Sequence, residues 1–172
     1  AWPALRLMRA MRPDFQRQIM TESPRLARNF HPDTVAPLHP FQARLGRDQL
    51  SQVEQFIAKR RQVGQWLDQE LSGIPQVRLL QSSATARHNG LYYGVLADRA
   101  PQLAEFLFRR GIDCETSEYR NCAELEIYRE YAADCPVARQ VESQILRLPN
   151  YPSLSQRSTR RIAKAIRAFY SL

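Results

Sequence analysis

Residues 103–154 constrain the fold more tightly than any other stretch of the chain. They read LAEFLFRRGIDCETSEYRNCAELEIYREYAADCPVARQVESQILRLPNYPSL. A helical pattern stops at Gly111, a short strand pattern covers residues 112–114, and an irregular polar passage follows at residues 115–122. A second helical pattern, headed by Asp134 and Pro136, gives way to an apolar strand at residues 145–148 that ends before Pro149. Helix and strand periods alternate over so short a span that the strands must share a sheet and the helices must cover it. The polar passage lies between these regular parts. Glu118, Tyr119, Arg120, Asn121 and Cys122 crowd hydrogen-bonding groups into it. Polar residues on a loop clamped by regular elements often form a ligand wall; a solvated loop has the same sequence pattern.

The segments on either side extend this pattern. In residues 41–71, Leu45, Val53, Phe56, Ile57, Val63, Leu67 and Leu71 recur at helical spacing between charged residues. They predict one amphipathic helix of roughly 45 Å, started at Pro40 and ended by Gly73 and Pro75. Residues 77–80 read as a short strand, 81–89 as a polar loop and 90–97 as a better strand. Tyr92 and Tyr93 must point to opposite faces of that strand. Asp98 is expected to cap the next helix, with Leu103, Phe106 and Leu107 on its apolar face. Residues 123–131 are expected to be helical. Asp134 is expected to cap a helix that turns Val137, Val141 and Ile145 inward, and Ser155 to cap a last helix striped by Ile162, Ile166, Phe169 and Tyr170. The predicted fold is α/β: a small two-layer sandwich with a mainly antiparallel sheet of three to four strands. Helices cover one face, and a long helix precedes the sheet. Residues 1–40 are broken by Pro13, Pro24, Pro32, Pro37 and Pro40. They read as a connector arm, with a short helical pattern at 4–11, before a domain at residues 41–172.

Composition narrows the function classes. With 172 residues, 44% hydrophobic and 24% charged, the chain is long enough for one domain with its own core. No apolar run approaches the roughly 20 residues of a membrane span, and the first residues lack the apolar core of a signal peptide. The net charge of +8 admits nucleic acid, an anionic membrane or an acidic metabolite as partner. The cations are nearly all arginine and spread along the chain, with Lys59 and Lys164 the exceptions. This spread argues against one basic face, and leaves a non-catalytic binding or scaffold domain for nucleic acid or a membrane as the alternative reading. Cys114, Cys122 and Cys135 lack metal-type spacing and read as reduced thiols of a cytoplasmic protein. No phosphate-binding glycine loop, H-E-x-x-H or G-x-S-x-G is present. His31, His39 and His88 are isolated and do not suggest a metal site. Cys122 as a nucleophile would need a lowered thiol pKa and an adjacent base; a half-buried structural thiol is the simpler reading.

Three segments in order resemble one family. Residues 41–71 are similar to the long helix that follows the cofactor domain in sugar aminotransferases of the DegT/DnrJ/StrS type. Gln42, Ala43, Leu45, Gly46, Gln49, Leu50, Arg60 and Arg61 match. The run FLFRRGIDCET resembles the family's helix-to-strand passage before its substrate loop. Residues 135–155 resemble its closing signature through Pro136, Val137, Ala138, Leu146, Leu148, Pro149, Tyr151, Pro152 and Leu154. The resemblance implies the small C-terminal domain, with its connector, of an enzyme of the aspartate-aminotransferase fold. Such an enzyme uses pyridoxal phosphate to move an amino group from an amino acid onto a keto-sugar, usually nucleotide-linked, and works as a homodimer with sites at the interface. It further implies that Glu118, Tyr119, Arg120, Asn121 and Cys122 form one wall of the substrate site, beside the cofactor domain of the same protein. The chain departs from the pattern in three places. The cofactor domain with its Schiff-base lysine is absent. Val35-Ala36-Pro37 stands where the family often has an asparagine that reaches the partner's cofactor. The substrate loop has no histidine. No residue of this chain is therefore expected to be catalytic, no metal is expected, and pyridoxal phosphate is not expected to bind it covalently. Alone, the chain should not transaminate.

Overall fold

The computed structural model describes residues 37–81, 83, 85–116 and 119–171. The expected short helix at residues 4–11 lies outside them. The chain divides into two compact units. The larger comprises Pro37–Thr116 and Gln140–Leu172, and the described part of the other is residues 119–139.

In the larger unit the predicted long helix is two helices. The first, α1 (Pro40–Leu50), opens on His39, whose Nδ1 accepts the Phe41 N–H at 3.2 Å while Gln42 Oε1 accepts the His39 N–H at 3.0 Å. This reciprocal capping satisfies donors that the helix start leaves open. The second, α2, runs over Val53–Leu71. Between them the Ser51 hydroxyl donates to the Asp48 carbonyl at 2.7 Å, and the Gln52 N–H reaches the Gln49 carbonyl at 3.1 Å. A serine that bonds back to the preceding turn competes with the helical ladder, and the three-residue bond tightens the chain there. Periodicity alone does not reveal such a break, because the apolar spacing continues across it. No residue of α1 is buried, whereas α2 sends Val63, Leu67 and Leu71 into the core.

The sheet has three antiparallel strands in the order β1 (Val77–Leu79), β2 (Tyr93–Ala97) and β3 (Ile145–Leu148). Val77 pairs with Ala97, Val95 lies between Leu79 and Leu146, and Tyr93 pairs with Leu148. Strand alternation puts these side chains on one face, where they join the core with residues of α2, α3 (Ala100–Arg109) and α5 (Gln156–Tyr170). The strand expected at residues 112–114 is reduced to one bridge between Glu115 and Arg147.

Gly111, at φ 75°, ends α3 as predicted. Its N–H bonds the Phe108 carbonyl at 2.9 Å, and the Ile112 N–H bonds the Leu107 carbonyl at 3.0 Å. This pair of bonds closes a helix through a left-handed residue, and Ile112 and Leu107 both lie in the core beside it. Asp98 does not cap α3. Arg99 takes the cap position at φ 54°, and the backbone of Asp98 is committed elsewhere: its N–H bonds Gln76 O at 3.0 Å and its carbonyl accepts the Tyr170 hydroxyl. Ser155 caps α5 as expected, accepting the Ser158 N–H at 3.2 Å. Ile162, Ile166 and Phe169 of α5 are buried. Leu67, Leu71, Leu103, Leu107 and Leu146 are fully enclosed, each worth about 1.5–3 kcal/mol of transfer free energy.

The helix before β3, α4 (Pro136–Gln144), has no buried residue, and Val137 is 72% exposed rather than turned inward. The Asp134 carboxylate, expected to cap it, instead accepts from Arg139 Nη2 through Oδ1 at 3.1 Å. Arg139 also pairs with Glu124. Within the smaller unit, residues expected to form an α-helix make two 3-10 helices, Cys122–Glu124 and Glu126–Tyr131. Tyr128, at φ −113° and ψ 19°, interrupts the second. Among the described residues no helix is long and apolar enough to cross a membrane.

Candidate functional site

Residues 119–122 of the polar passage that the sequence singles out lie in the smaller unit. Tyr119, Arg120 and Cys122 are exposed, and Asn121 is 7% exposed. Asn121 is inward because it caps: its Oδ1 accepts the Ala123 N–H at 3.3 Å and starts the first 3-10 helix. The Cys122 thiol donates to the Arg120 carbonyl at 3.8 Å. Glu118 lies outside the described residues. The passage thus presents a phenol, a guanidinium and a thiol around one structural asparagine. Among the described residues no cluster of histidine, cysteine, aspartate or glutamate could hold a metal.

The larger unit contains a cleft of about 600 Å³ that the sequence did not reveal. Helix α2 supplies Arg60, Arg61, Gly64, Gln65 and Asp68 to it, β2 supplies Tyr93 and Gly94, and residues on the connecting segments complete it. Its wall is fixed by a close approach. Gly90, at φ 70°, lies so near α2 that a Cβ there would come within 2.9 Å of Arg60 Cβ and 3.2 Å of Arg61 N. Glycine tolerates both the left-handed backbone and the contact. Three further bonds hold this wall: Arg61 Nε to His88 O at 2.7 Å, Gly90 N–H to His88 Nδ1 at 3.0 Å, and Asn150 Nδ2 to Gly90 O at 2.8 Å. His88, isolated in the sequence, is thus a turn-holding residue.

The two tyrosines of the strand separate as predicted. Tyr93 packs against the core and donates its hydroxyl to Asp68 Oδ1 at 2.6 Å. Burial first, and then the hydrogen bond and charge of Asp68, hold its phenol pKa far above the ordinary value. Tyr92 is exposed, with the Arg147 guanidinium 4.2 Å from its ring centre. That distance is within cation–π range.

The two lysines of the chain, Lys59 on α2 and Lys164 on α5, are both exposed, and neither lines the cleft. Imine chemistry at neutral pH needs an amine whose pKa is lowered by desolvation or by a neighbouring cation held against it. The residues of this chain therefore do not fit covalent attachment of pyridoxal phosphate.

The architecture of the sheet and its helices is that of known aminotransferases. A DegT/DnrJ/EryC1/StrS aminotransferase from Brucella abortus superposes with a TM-score of 0.71 at 22% identity, over 78% of this chain and 36% of that one. An aminotransferase of Helicobacter pylori involved in the biosynthesis of pseudoaminic acid gives 0.70 at 21% identity, over 78% and 38%. At such identities the likeness shows the fold alone. A 4-aminotransferase of Saccharopolyspora spinosa, acting on dTDP-4-dehydro-2,3,6-trideoxy-D-glucose, is 33% identical over 127 residues. The match takes in 70% of this chain and 32% of that protein, so the chain spans about a third of the relative's length. The sequence profile of the DegT/DnrJ/EryC1/StrS aminotransferase family matches residues 27–167. The chain belongs to this family.

Proposed function

We propose that the chain is the C-terminal portion of a pyridoxal-phosphate-dependent aminotransferase that transfers an amino group from an amino acid to a nucleotide-linked keto-sugar. The observation that carries this reading is the family match over residues 27–167 in a chain that spans 32% of a sugar 4-aminotransferase. Residues 1–40 act as the connector and residues 41–172 as the small domain. Glu118, Tyr119, Arg120, Asn121 and Cys122 line one wall of the substrate site. The cofactor domain of the same protein supplies the Schiff-base lysine, and a second copy completes a homodimer. The cofactor, when bound there, supplies the electron sink for the amino transfer; the residues of this chain contribute substrate contacts only. The expected setting is the cytoplasm, where the thiols of Cys114, Cys122 and Cys135, none of them in a disulfide, stay reduced.

Two measurements test this. The purified chain is incubated with pyridoxal phosphate, reduced with borohydride and mapped by mass spectrometry. Only trace labelling of Lys59 and Lys164 is expected, and stoichiometric labelling of either would refute the division of roles. The coding sequence upstream of Ala1 is then read. A continuous frame encoding a lysine-bearing cofactor domain is expected, and an in-frame stop without such a domain would overturn the reading.

A further inference from the structure

We propose that the cleft between α2 and the start of β2 is a binding site for a phosphorylated, hydroxyl-bearing small molecule. The inference does not rest on the aminotransferase reading, because it is argued from residues of the larger unit alone.

Four observations converge on it. First, the cleft is of ligand size: about 600 Å³, inside the ~300–1,000 Å³ range of small-molecule sites. Second, its charge is one-sided. Among the described residues, Arg60, Arg61 and Arg87 line it against one carboxylate, Asp68, and that carboxylate already accepts the Tyr93 hydroxyl. Guanidinium groups match phosphate oxygens in paired hydrogen bonds, and a phosphomonoester carries about −1.5 to −2 charges near neutral pH.

Third, two residues that line the cleft each hold a buried polar atom that lacks a hydrogen-bond partner among the described residues: Arg60 Nε, a donor, and Asn150 Oδ1, an acceptor. A buried polar atom left unpaired is costly. One donor and one acceptor together call for a ligand that offers both an anionic oxygen and a hydroxyl; phosphate alone meets only the first need. Fourth, the wall is rigid before any ligand arrives. Gly90 is seated on the α2 backbone, and Asn150 and Arg61 are tied to residues 88–90. Preorganisation of this kind lowers the ordering cost of binding.

The test is calorimetric titration of the 172-residue chain with glucose 6-phosphate, inorganic phosphate, glucose and a single-stranded oligonucleotide. Saturable one-to-one binding of glucose 6-phosphate is expected, with inorganic phosphate at least about tenfold weaker and glucose silent. Arg60→Gln should weaken glucose 6-phosphate at least about tenfold, the loss expected for a charge-assisted hydrogen bond. Arg157→Gln, which removes an exposed cation of α5 that does not line the cleft, should leave it unchanged. If Arg60→Gln unfolds the chain, Arg87→Gln carries the same expectation from an exposed position. Equal weakening by the cleft and the α5 variants would show diffuse charge attraction and overturn the proposal. So would the absence of saturable heat with millimolar glucose 6-phosphate, or preferential binding of the oligonucleotide that both variants weaken alike.

Discussion

Alanine substitution at Gly90 tests whether the seat of residues 88–90 on α2 holds the larger unit together. Two costs add there. The first is backbone strain, because Gly90 sits at φ 70°; a side chain in the left-handed region costs about 1–2 kcal/mol. The second is the contact. A Cβ would lie 2.9 Å from Arg60 Cβ, 3.2 Å from Arg61 N and 3.3 Å from Arg60 C. These atoms belong to the start of a side chain and to helix backbone, so none can swing aside, and overpacking of this kind costs about 1–3 kcal/mol. Gly73 separates the two. It has φ 86° but nothing within 4 Å of the added Cβ, so Gly73→Ala bears the strain alone. Urea unfolding followed by circular dichroism should show both variants destabilised, Gly90→Ala by about 1–3 kcal/mol more than Gly73→Ala. With a slope of about 1–3 kcal/mol per molar urea, the extra loss moves the midpoint by roughly 1 M. Equal destabilisation of the two variants would refute the close approach, and with it the preformed wall of the cleft.

Other expectations follow from the same packing and hydrogen bonds. Leu67, at 0% exposure on α2, should cost about 2–5 kcal/mol on truncation to alanine, read by the same urea titration. Ser155→Ala removes the cap of α5 and should cost about 0.5–2 kcal/mol, with no change in the unfolding slope. Tyr170 has its pKa pushed up to about 12, by burial first and then by the charge of Asp98, with Arg99 opposing. Tyr93 is raised further, by burial and then by Asp68. A phenol whose folded pKa exceeds the unfolded value of about 10 stabilises the fold fully below that pH and loses its contribution as pH rises through the folded value. Alkaline titration of tyrosinate absorbance should therefore show late-ionising phenols that disappear in Tyr93→Phe and Tyr170→Phe. Stability should decline above about pH 10 more steeply in the parent than in those variants.

Much of the fold could be read from the sequence because its signals are local. Gly111 ends α3, Ser155 caps α5, and the alternation at Tyr92 and Tyr93 sends one ring to the core and leaves the other exposed, all within a few residues of the deciding position. The misreadings occur where a longer-range or competing bond decides. The 41–71 pattern keeps its period through Ser51, but the serine hydroxyl bonds back to Asp48 and the helix breaks. Asp98 has a side chain suited to capping, yet its backbone is held by Gln76 and Tyr170, one in the segment before β1 and the other at the end of α5. Val137 fits an inward stripe, but α4 buries nothing.

The two candidate sites differ in the same physical sense. The polar passage was visible because Tyr119, Arg120, Asn121 and Cys122 are consecutive, so composition alone marks it. The cleft was not, because Arg60, Gly90 and Asn150 come from three distant segments, and each has an ordinary local explanation: a helix cation, a turn glycine and a residue after a strand. Only the antiparallel pairing of β2 with β3 brings the start of one strand beside the end of the other, with Tyr93 opposite Leu148. That pairing carries Asn150 to within 2.8 Å of the Gly90 carbonyl, and the missing Cβ of Gly90 lets the same residue rest on α2 at Arg60. Gly90 thus joins the two halves of the cleft, and only the sequence neighbours of Gly90 could have hinted at it: a histidine and an asparagine, both of which bond back to their own turn. A turn that bonds to itself, packs on a helix through a glycine and accepts a distant amide is more constrained than connection alone requires. That excess of constraint is what a preformed binding wall needs.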